Sequence, residues 1–429
     1  MGDTRQVTIK LITRESDLAV PDAPLFVPVS LKRYGLSEVV NQLLELEKPV
    51  PFEFLIDGNL LRSSLDAYLT SHGLSSETTL TVEYARSILP PSFLSSFSHQ
   101  DWISSVNISR VSPFIATGSY DGIARLWDLS GNVTHQLVGH NAPVKSVKWT
   151  DKGRLVTGSS DRNLCLWRLK EGEKEEASEE GVQVSALAVL QGHTASVDDI
   201  ATKGTSIVSA SADTTLKLWS TNYKDLPAPS TPNDSGSTAS QKRRKIAEKN
   251  LASARVRGPL ASLAGHTAPV TGVAFHATDS QVSYSVSQDH TIRTWDLATQ
   301  SLVDTRTTSF PLLSIATLPR AGLIACGSSA RHITLHDPRA TTSTTQAQLI
   351  GHSNFVVSLA PSPNNQYMFA SGSHDGTSKI WDIRAQKCVY TITRQSEESP
   401  TAVYGIDWHN IGIVSVGQDK KLQINSGGF

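Results

Sequence analysis

The chain has 429 residues, with 39 basic and 40 acidic side chains and a formal net charge of -1, so no global field draws it toward nucleic acid or an anionic membrane. No stretch reaches the roughly 18 apolar residues of a membrane helix, and the opening Met1-Gly-Asp-Thr-Arg-Gln6 has no hydrophobic signal region, nor a myristoylation motif, since Gln6 stands where that motif needs Ser or Thr. A soluble intracellular chain with no membrane partner is expected. Cys165, Cys326 and Cys388 stand far apart in strand-like contexts without CxxC pairing, which argues against a disulfide framework or a zinc site.

Residues 5–85 have the grammar of a small α+β domain. Val7, Ile9 and Leu11 alternate with polar neighbours as a strand, and Leu25 to Val29 can pair with it as a hairpin. Leu36, Val39, Val40, Leu43 and Leu46 recur at helical spacing, with Ser37 as the expected N-cap. Phe52, Phe54 and Ile56 alternate before an Asp57-Gly58 turn; Leu60-Leu61 reads as a short strand, Leu65, Tyr68 and Leu69 as a helical turn, and Thr79 to Tyr84 as a last strand. In that strand Leu80, Val82 and Tyr84 share one face, which puts Glu83 on the other, where a carboxylate is ordinarily a solvated charge. The order β-β-α-β-β-β resembles the ubiquitin-like β-grasp fold.

Residues 86–97 contain Pro90-Pro91, which forbids a helix. Beyond them, over 98–429, one pattern returns: a His, then Ser or Thr-x-x-x-Asp, then Trp six residues after the Asp. It gives His99, Thr117, Asp121, Trp127; His140, Thr157, Asp161, Trp167; His193, Ser209, Asp213, Trp219; His266, Ser285, Asp289, Trp295; and His352, Ser371, Asp375, Trp381. Two further units are eroded. One has Cys326, Ala330 and His336 at the Ser, Asp and Trp positions; the other has Ser415 and Asp419 but Asn425 for Trp. An Asp in a tight turn accepts hydrogen bonds, a buried His bridges it to a hydroxyl, and the indole N–H donates into the same chain, pinning the turn. A hydrolase triad is set aside, because a triad occurs once per site whereas this constellation recurs at fixed offsets from a Trp.

These units resemble the WD-repeat family, in which each makes one four-stranded propeller blade. The fold class expected is thus an all-β seven-bladed WD-repeat propeller preceded by a ubiquitin-like domain. The eroded fifth and seventh blades are expected to lean on apolar packing. The last unit stops short of a fourth strand, so a strand from about Ser92 to Phe97 is expected to complete it and remove an open sheet edge. Two insertions interrupt the ring: Lys170 to Gly181, dense in Glu and read as a solvated loop, and about Thr221 to Pro259, rich in Pro, Ser and Thr and expected to be disordered. The latter carries Lys242, Arg243, Arg244 and Lys245, which read as an import signal, an RNA-touching patch or an incidental basic cluster.

With Leu80-Thr-Val-Glu-Tyr84 and Leu89-Pro-Pro-Ser-Phe93 running into Asp101-Trp102, the whole chain resembles the ribosome-biogenesis WD-repeat proteins of the PeBoW complex. The resemblance implies a non-enzymatic nucleolar assembly factor of the pre-60S ribosomal particle, needed for maturation of large-subunit rRNAs. It implies a propeller that binds the block-of-proliferation protein in a complex with Pescadillo, and leaves direct RNA contact open. It also implies that Glu83 ligates, in trans, a Mg²⁺ in the adhesion site of the midasin ATPase, with no cofactor of the chain's own. Two alternatives remain at this point: a Notchless-like factor, whose propeller carries eight units, and a cullin-ligase substrate receptor, suggested by Trp381-Asp382-Ile383-Arg384 and His336-Asp337-Pro338-Arg339.

Overall fold

A computed structural model describes residues 5–46, 48–87, 90–151, 153–170, 183–229, 250–319, 321–340, 345–394 and 401–427. The chain divides into two compact units, the first running to Pro90 and grouped with Ile383–Gln386, the second holding Pro91–Asp382 and Lys387–Gly427.

In the first unit, β1 (Gln6–Ile12), β2 (Pro24–Pro28), β3 (Phe52–Ile56), β4 (Asn59–Leu60) and β5 (Leu80–Arg86) form one sheet in the order β2-β1-β5-β3-β4. β1 pairs antiparallel with β2 and parallel with β5, the mixed pairing of a β-grasp. Alternation puts Val7, Ile9, Leu11, Phe52, Phe54, Val82 and Tyr84 on one face, where α1 (Arg33–Leu43) and α2 (Leu65–His72) cover them with Leu36, Val40, Leu65 and Leu69. Asp57 and Gly58 both have positive φ, 49° and 75°, as a two-residue hairpin turn requires.

Two local expectations change. The helical turn expected at Leu65 is a full helix: the Ser64 hydroxyl caps its N-terminus by accepting from Ala67 N, and Gly73 ends it in the left-handed conformation. Ser37 is not the cap of α1; Lys32 holds that position without a side-chain bond. Ser37 lies inside the helix, where its hydroxyl donates to the Val50 carbonyl and accepts from Phe52 N at 3.1 Å, tying the helix to the start of β3.

The second unit is a propeller of seven sheets. Six blades span 103–138, 144–191, 197–264, 270–307, 312–350 and 356–393, and the seventh takes three strands from 403–426. Its fourth strand is β6 (Ser92–Ser98), which pairs antiparallel with Lys421–Ser426, Phe97 opposite Leu422. The ring therefore closes with strands from both ends of this unit, as expected. Ile103, Val106, Ile115 and Trp127 of the first blade share a core with Val414, Val416, Leu422 and Ile424 of the seventh.

Around the channel, innermost strands are stitched blade to blade by side chains. Asp407 accepts from Ile108 N at 2.7 Å, Asn107 accepts from Trp149 N at 2.8 Å, and Asp199 accepts from Val273 N at 3.1 Å. Burial pushes both aspartates above the ordinary carboxylate range, opposed by nearby Lys148 and these hydrogen bonds.

The insertion expected to be disordered over about 221–259 is ordered at both ends, a correction with a clear cause. Leu226 is buried in the core shared by the second and third blades, and Leu251 packs on the core of the first and second. Arg255–Arg257 then adds as a fifth, parallel strand to the outer edge of the second blade, satisfying an edge that would otherwise stay open. Residues 230–249, with Lys242, Arg243, Arg244 and Lys245, lie outside the described residues. So does most of the acidic insertion, from 171 to 182.

Candidate functional site

Four of the five full repeat units build the expected network. His140, His193, His266 and His352 place Nδ1 at 2.9, 2.8, 2.8 and 2.8 Å from Asp161, Asp213, Asp289 and Asp375. Their Nε2 atoms meet Thr157, Ser209, Ser285 and Ser371 at 2.8, 2.7, 2.7 and 2.7 Å. The indole N–H groups of Trp167, Trp219, Trp295 and Trp381 donate to those same hydroxyls at 3.0, 2.9, 2.8 and 2.7 Å. Each hydroxyl accepts from an indole N–H and donates to Nε2, and Nδ1–H donates to the Asp. Burial lowers the His193 and His266 pKa, in keeping with a neutral imidazole there, whereas at His140 burial is overcome by Cys165 and Asp161, which raise it. Burial pushes the Asp213 carboxyl up, but the bonds from His193, Thr215 and Thr194 outweigh it and hold the group well below its usual range. The four hydroxyl residues are fully buried and their oxygens already accept from indoles, so they offer no approach to a substrate.

The first unit departs from the frame. His99 meets Thr117 at 3.3 Å and Trp127 donates to Thr117 at 2.9 Å, but Arg125 stands between His99 and Asp121. Its Nη2 donates to Asp121 at 2.6 Å and its Nη1 faces His99 Nδ1 at 3.4 Å. Burial, reinforced by this guanidinium, lowers the His99 pKa to about 4.

The seventh blade corrects the expectation that it leans on apolar packing. Arg394, in the connection entering that blade, takes the place of the missing His. It forks onto Asp419 with Nε and Nη2 at 2.8 and 2.9 Å and donates to Ser415 at 2.9 Å and to the Lys421 carbonyl at 2.6 Å. In the fifth blade His336 donates to or accepts from Thr334 at 2.9 Å, while Arg306 reaches across from the fourth blade to the carbonyls of Asp337, Pro338 and Ala340. Burial, with Arg306 second, lowers the His336 pKa to about 4.

On the face that carries the Asp turns, aromatic rings join into an arc that the repeat motif does not contain. Phe355 and His374 of the sixth blade lie 6.0 Å apart, and His374 meets Tyr404 of the seventh at 5.4 Å. Tyr404 then meets Trp102 and Tyr120 of the first blade at 6.4 and 6.1 Å, those two standing 5.7 Å apart. The arc ends in the second blade, where Lys145 Nζ sits 4.6 Å over the Tyr120 ring. Phe355 is 44% and Trp102 38% exposed. Tyr404 and Lys145 also line the mouth of the channel, which encloses about 150 Å³. The missed signal was a Trp, Trp102, outside the six-residue frame from an Asp.

Glu83, on the central strand β5, does lie on the face opposite the core, flanked in register by Ile12 of β1 and Leu55 of β3. It is not the solvated charge that its place in the strand suggested: its side chain is only 15% exposed and Arg14 Nε stands 2.9 Å from Oε1. Among the described residues no group of three or more His, Cys, Asp or Glu is placed to hold a metal ion, so a lone carboxylate here could complete a partner's coordination sphere but not make one.

Residues 7–69 match the NLE (NUC135) domain family, and 91–128, 131–168, 185–220, 257–296 and 343–382 match the WD domain, G-beta repeat family. Those five segments are the units with a full motif. The crystal structure of the WD40 β-propeller domain of Doa1 is similar with a TM-score of 0.57 at 19% identity, over 79% of this chain and 97% of that one, a likeness of fold alone. The protein is therefore of the class that sets an NLE domain ahead of a WD-repeat propeller. The chain is 52% identical to ribosome biogenesis protein YTM1 of Vanderwaltozyma polyspora over 99% of its own length and 98% of that protein's. It is 51% identical to YTM1 of Saccharomyces cerevisiae, again over 99% and 98%, and 52% identical to YTM1 of Candida albicans over 98% and 97%. The chain belongs to the YTM1 family of ribosome biogenesis proteins, and its role lies in ribosome assembly.

Proposed function

We propose that the chain is a non-enzymatic assembly factor of the pre-60S particle, working in the nucleolus and nucleoplasm and needed for maturation of large-subunit rRNAs. Its propeller binds the block-of-proliferation protein, in a complex with Pescadillo, and its ubiquitin-like domain docks on the midasin ATPase for release. The observation that supports the propeller half is the aromatic arc from Phe355 to Lys145, which crosses four blades beside the channel mouth. Rigid rings with polar edges, partly exposed on a pinned scaffold, give large contact area at little entropy cost and are the residues that dominate protein interfaces.

Alanine at Tyr404 or Trp102 is expected to weaken binding of the block-of-proliferation protein by about 2–4 kcal/mol, as loss of an interface anchor does. Calorimetry on the full chain measures it; binding unchanged in both variants would place the partner elsewhere.

For the ubiquitin-like half, Glu83 supplies the ligand. Midasin's adhesion site holds a Mg²⁺ with an open position, and a hard cation that keeps exchangeable waters accepts a carboxylate oxygen from a partner. The Mg²⁺ belongs to the partner and supplies the charge that captures Glu83; this chain supplies the carboxylate and its orientation. Import through Lys242, Arg243, Arg244 and Lys245 is part of the same proposal and is tested by replacing the four with alanine and following nuclear accumulation.

A further inference from the structure

Glu83 does not stand alone. Arg14 follows β1 by two residues, and the parallel register of Ile12 with Glu83 brings its guanidinium to the carboxylate. The two oxygens are held unequally. Oε1 has no exposed surface and lies 2.9 Å from Arg14 Nε, an ion-pair contact without hydrogen-bond alignment. Oε2 accepts from Nη2 at the longer distance of 3.4 Å. Whatever part of the Glu83 side chain meets solvent, it is not Oε1.

We propose that Arg14 is a positioning residue for Glu83: its charge lies against the buried Oε1 while Nη2 donates one long hydrogen bond to Oε2, turning the carboxylate so that Oε2, with a second lone pair to give, is the oxygen offered to a partner's divalent cation. The proposal rests on the reading of Glu83 as a ligand in trans. A planar guanidinium suits the task, because it holds a carboxylate in one plane where an ammonium acts as a point charge. Carboxylates that ligate metals are themselves held by outer hydrogen-bonding partners, whose loss typically lowers metal affinity 10–100-fold. A positive charge beside a cation site would, in contrast, lower affinity by repulsion if Arg14 were only a counter-ion to be displaced. The two roles therefore predict opposite signs.

The test uses the full chain and the adhesion-site domain of midasin, with binding followed by biolayer interferometry across a Mg²⁺ titration. Arg14→Ala is expected to weaken Mg²⁺-dependent binding by about 10–100-fold and to raise the Mg²⁺ concentration at half-saturation. Arg14→Gln, which keeps an N–H donor without the charge, is expected to lose less. Both variants should keep the wild-type melting temperature and wild-type binding of the propeller's partner. If Arg14→Ala binds as tightly as wild type or more tightly, while Glu83→Ala fails to bind, Arg14 has no positioning role. If Glu83→Ala itself binds like wild type, the reading of Glu83 falls and the proposal with it.

Discussion

Asp213 accepts from His193 Nδ1–H, from the backbone N–H of Thr194 and Thr215, and from the Thr215 hydroxyl. Without the carboxylate the buried His193 Nδ1–H and the half-buried Thr215 donors lose their acceptor, so Asp213→Ala is expected to cost about 1–3 kcal/mol in denaturant unfolding. Ala330→Ser in the fifth blade, where no carboxylate stands, should be near neutral by the same measurement. Arg394 holds a stronger position: its side chain and that of Asp419 are 1% and 5% exposed. Arg394→Ala leaves a buried carboxylate uncompensated and is expected to cost about 3–5 kcal/mol. His336 makes the blade that contains it sensitive to acid. Its pKa is about 4 in the folded chain against 6.5 ordinarily, so the unfolded chain takes up the proton first. The contribution is full above pH 6.5 and is lost as pH falls toward 4. His336→Leu is expected to show a smaller drop in melting temperature than wild type between those limits; equal drops would assign the acid sensitivity to other groups.

β6 was legible in the sequence because the last unit ends one strand short, and a sheet edge needs a partner whichever end of the chain supplies it. Proline at Ser96, opposite Gln423, should break that ladder, lower the melting temperature and reveal the ring's dependence on closure; an unchanged melting curve would deny it. The seven blades were legible for the same reason as the four full networks: the repeat fixes residue type and spacing together. Arg394 was not, since the motif specifies where polar atoms must lie and a long cation from a different local sequence can reach the same points. Nor were the ends of the long insertion. Arg255–Arg257 is three residues long and reads as strand only beside the edge it covers, and Leu226 looks like any loop leucine until the blades enclose it. Leu226→Ala is expected to cost about 2–5 kcal/mol, the usual range for a buried leucine, which an unstructured segment would not show. The aromatic arc was invisible because its members come from separate blades and share no spacing.

At the scale of the whole molecule, a propeller that presents aromatic rings and a cation on one face is joined to a small domain whose β5 carries Glu83, and the proposed function assigns the two units different partners in ribosome assembly. The seven blades differ from the eight that a Notchless-like chain would carry, and the full-length similarity to YTM1 proteins sets the chain in a ribosome-biogenesis family rather than among cullin-ligase receptors. Whether the two units bind different partners is read directly by affinity purification of the tagged full chain from cells, wild type against Glu83→Ala and Tyr404→Ala, with quantification of what comes down. Wild type should bring the block-of-proliferation protein, Pescadillo and pre-60S particles, with midasin in a Mg²⁺-dependent fraction. Glu83→Ala should keep the first three, lose midasin and accumulate on the particles, while Tyr404→Ala should lose the block-of-proliferation protein. A Glu83→Ala chain that retains midasin and leaves the particles at the wild-type rate would show that the ubiquitin-like domain does not dock through this carboxylate.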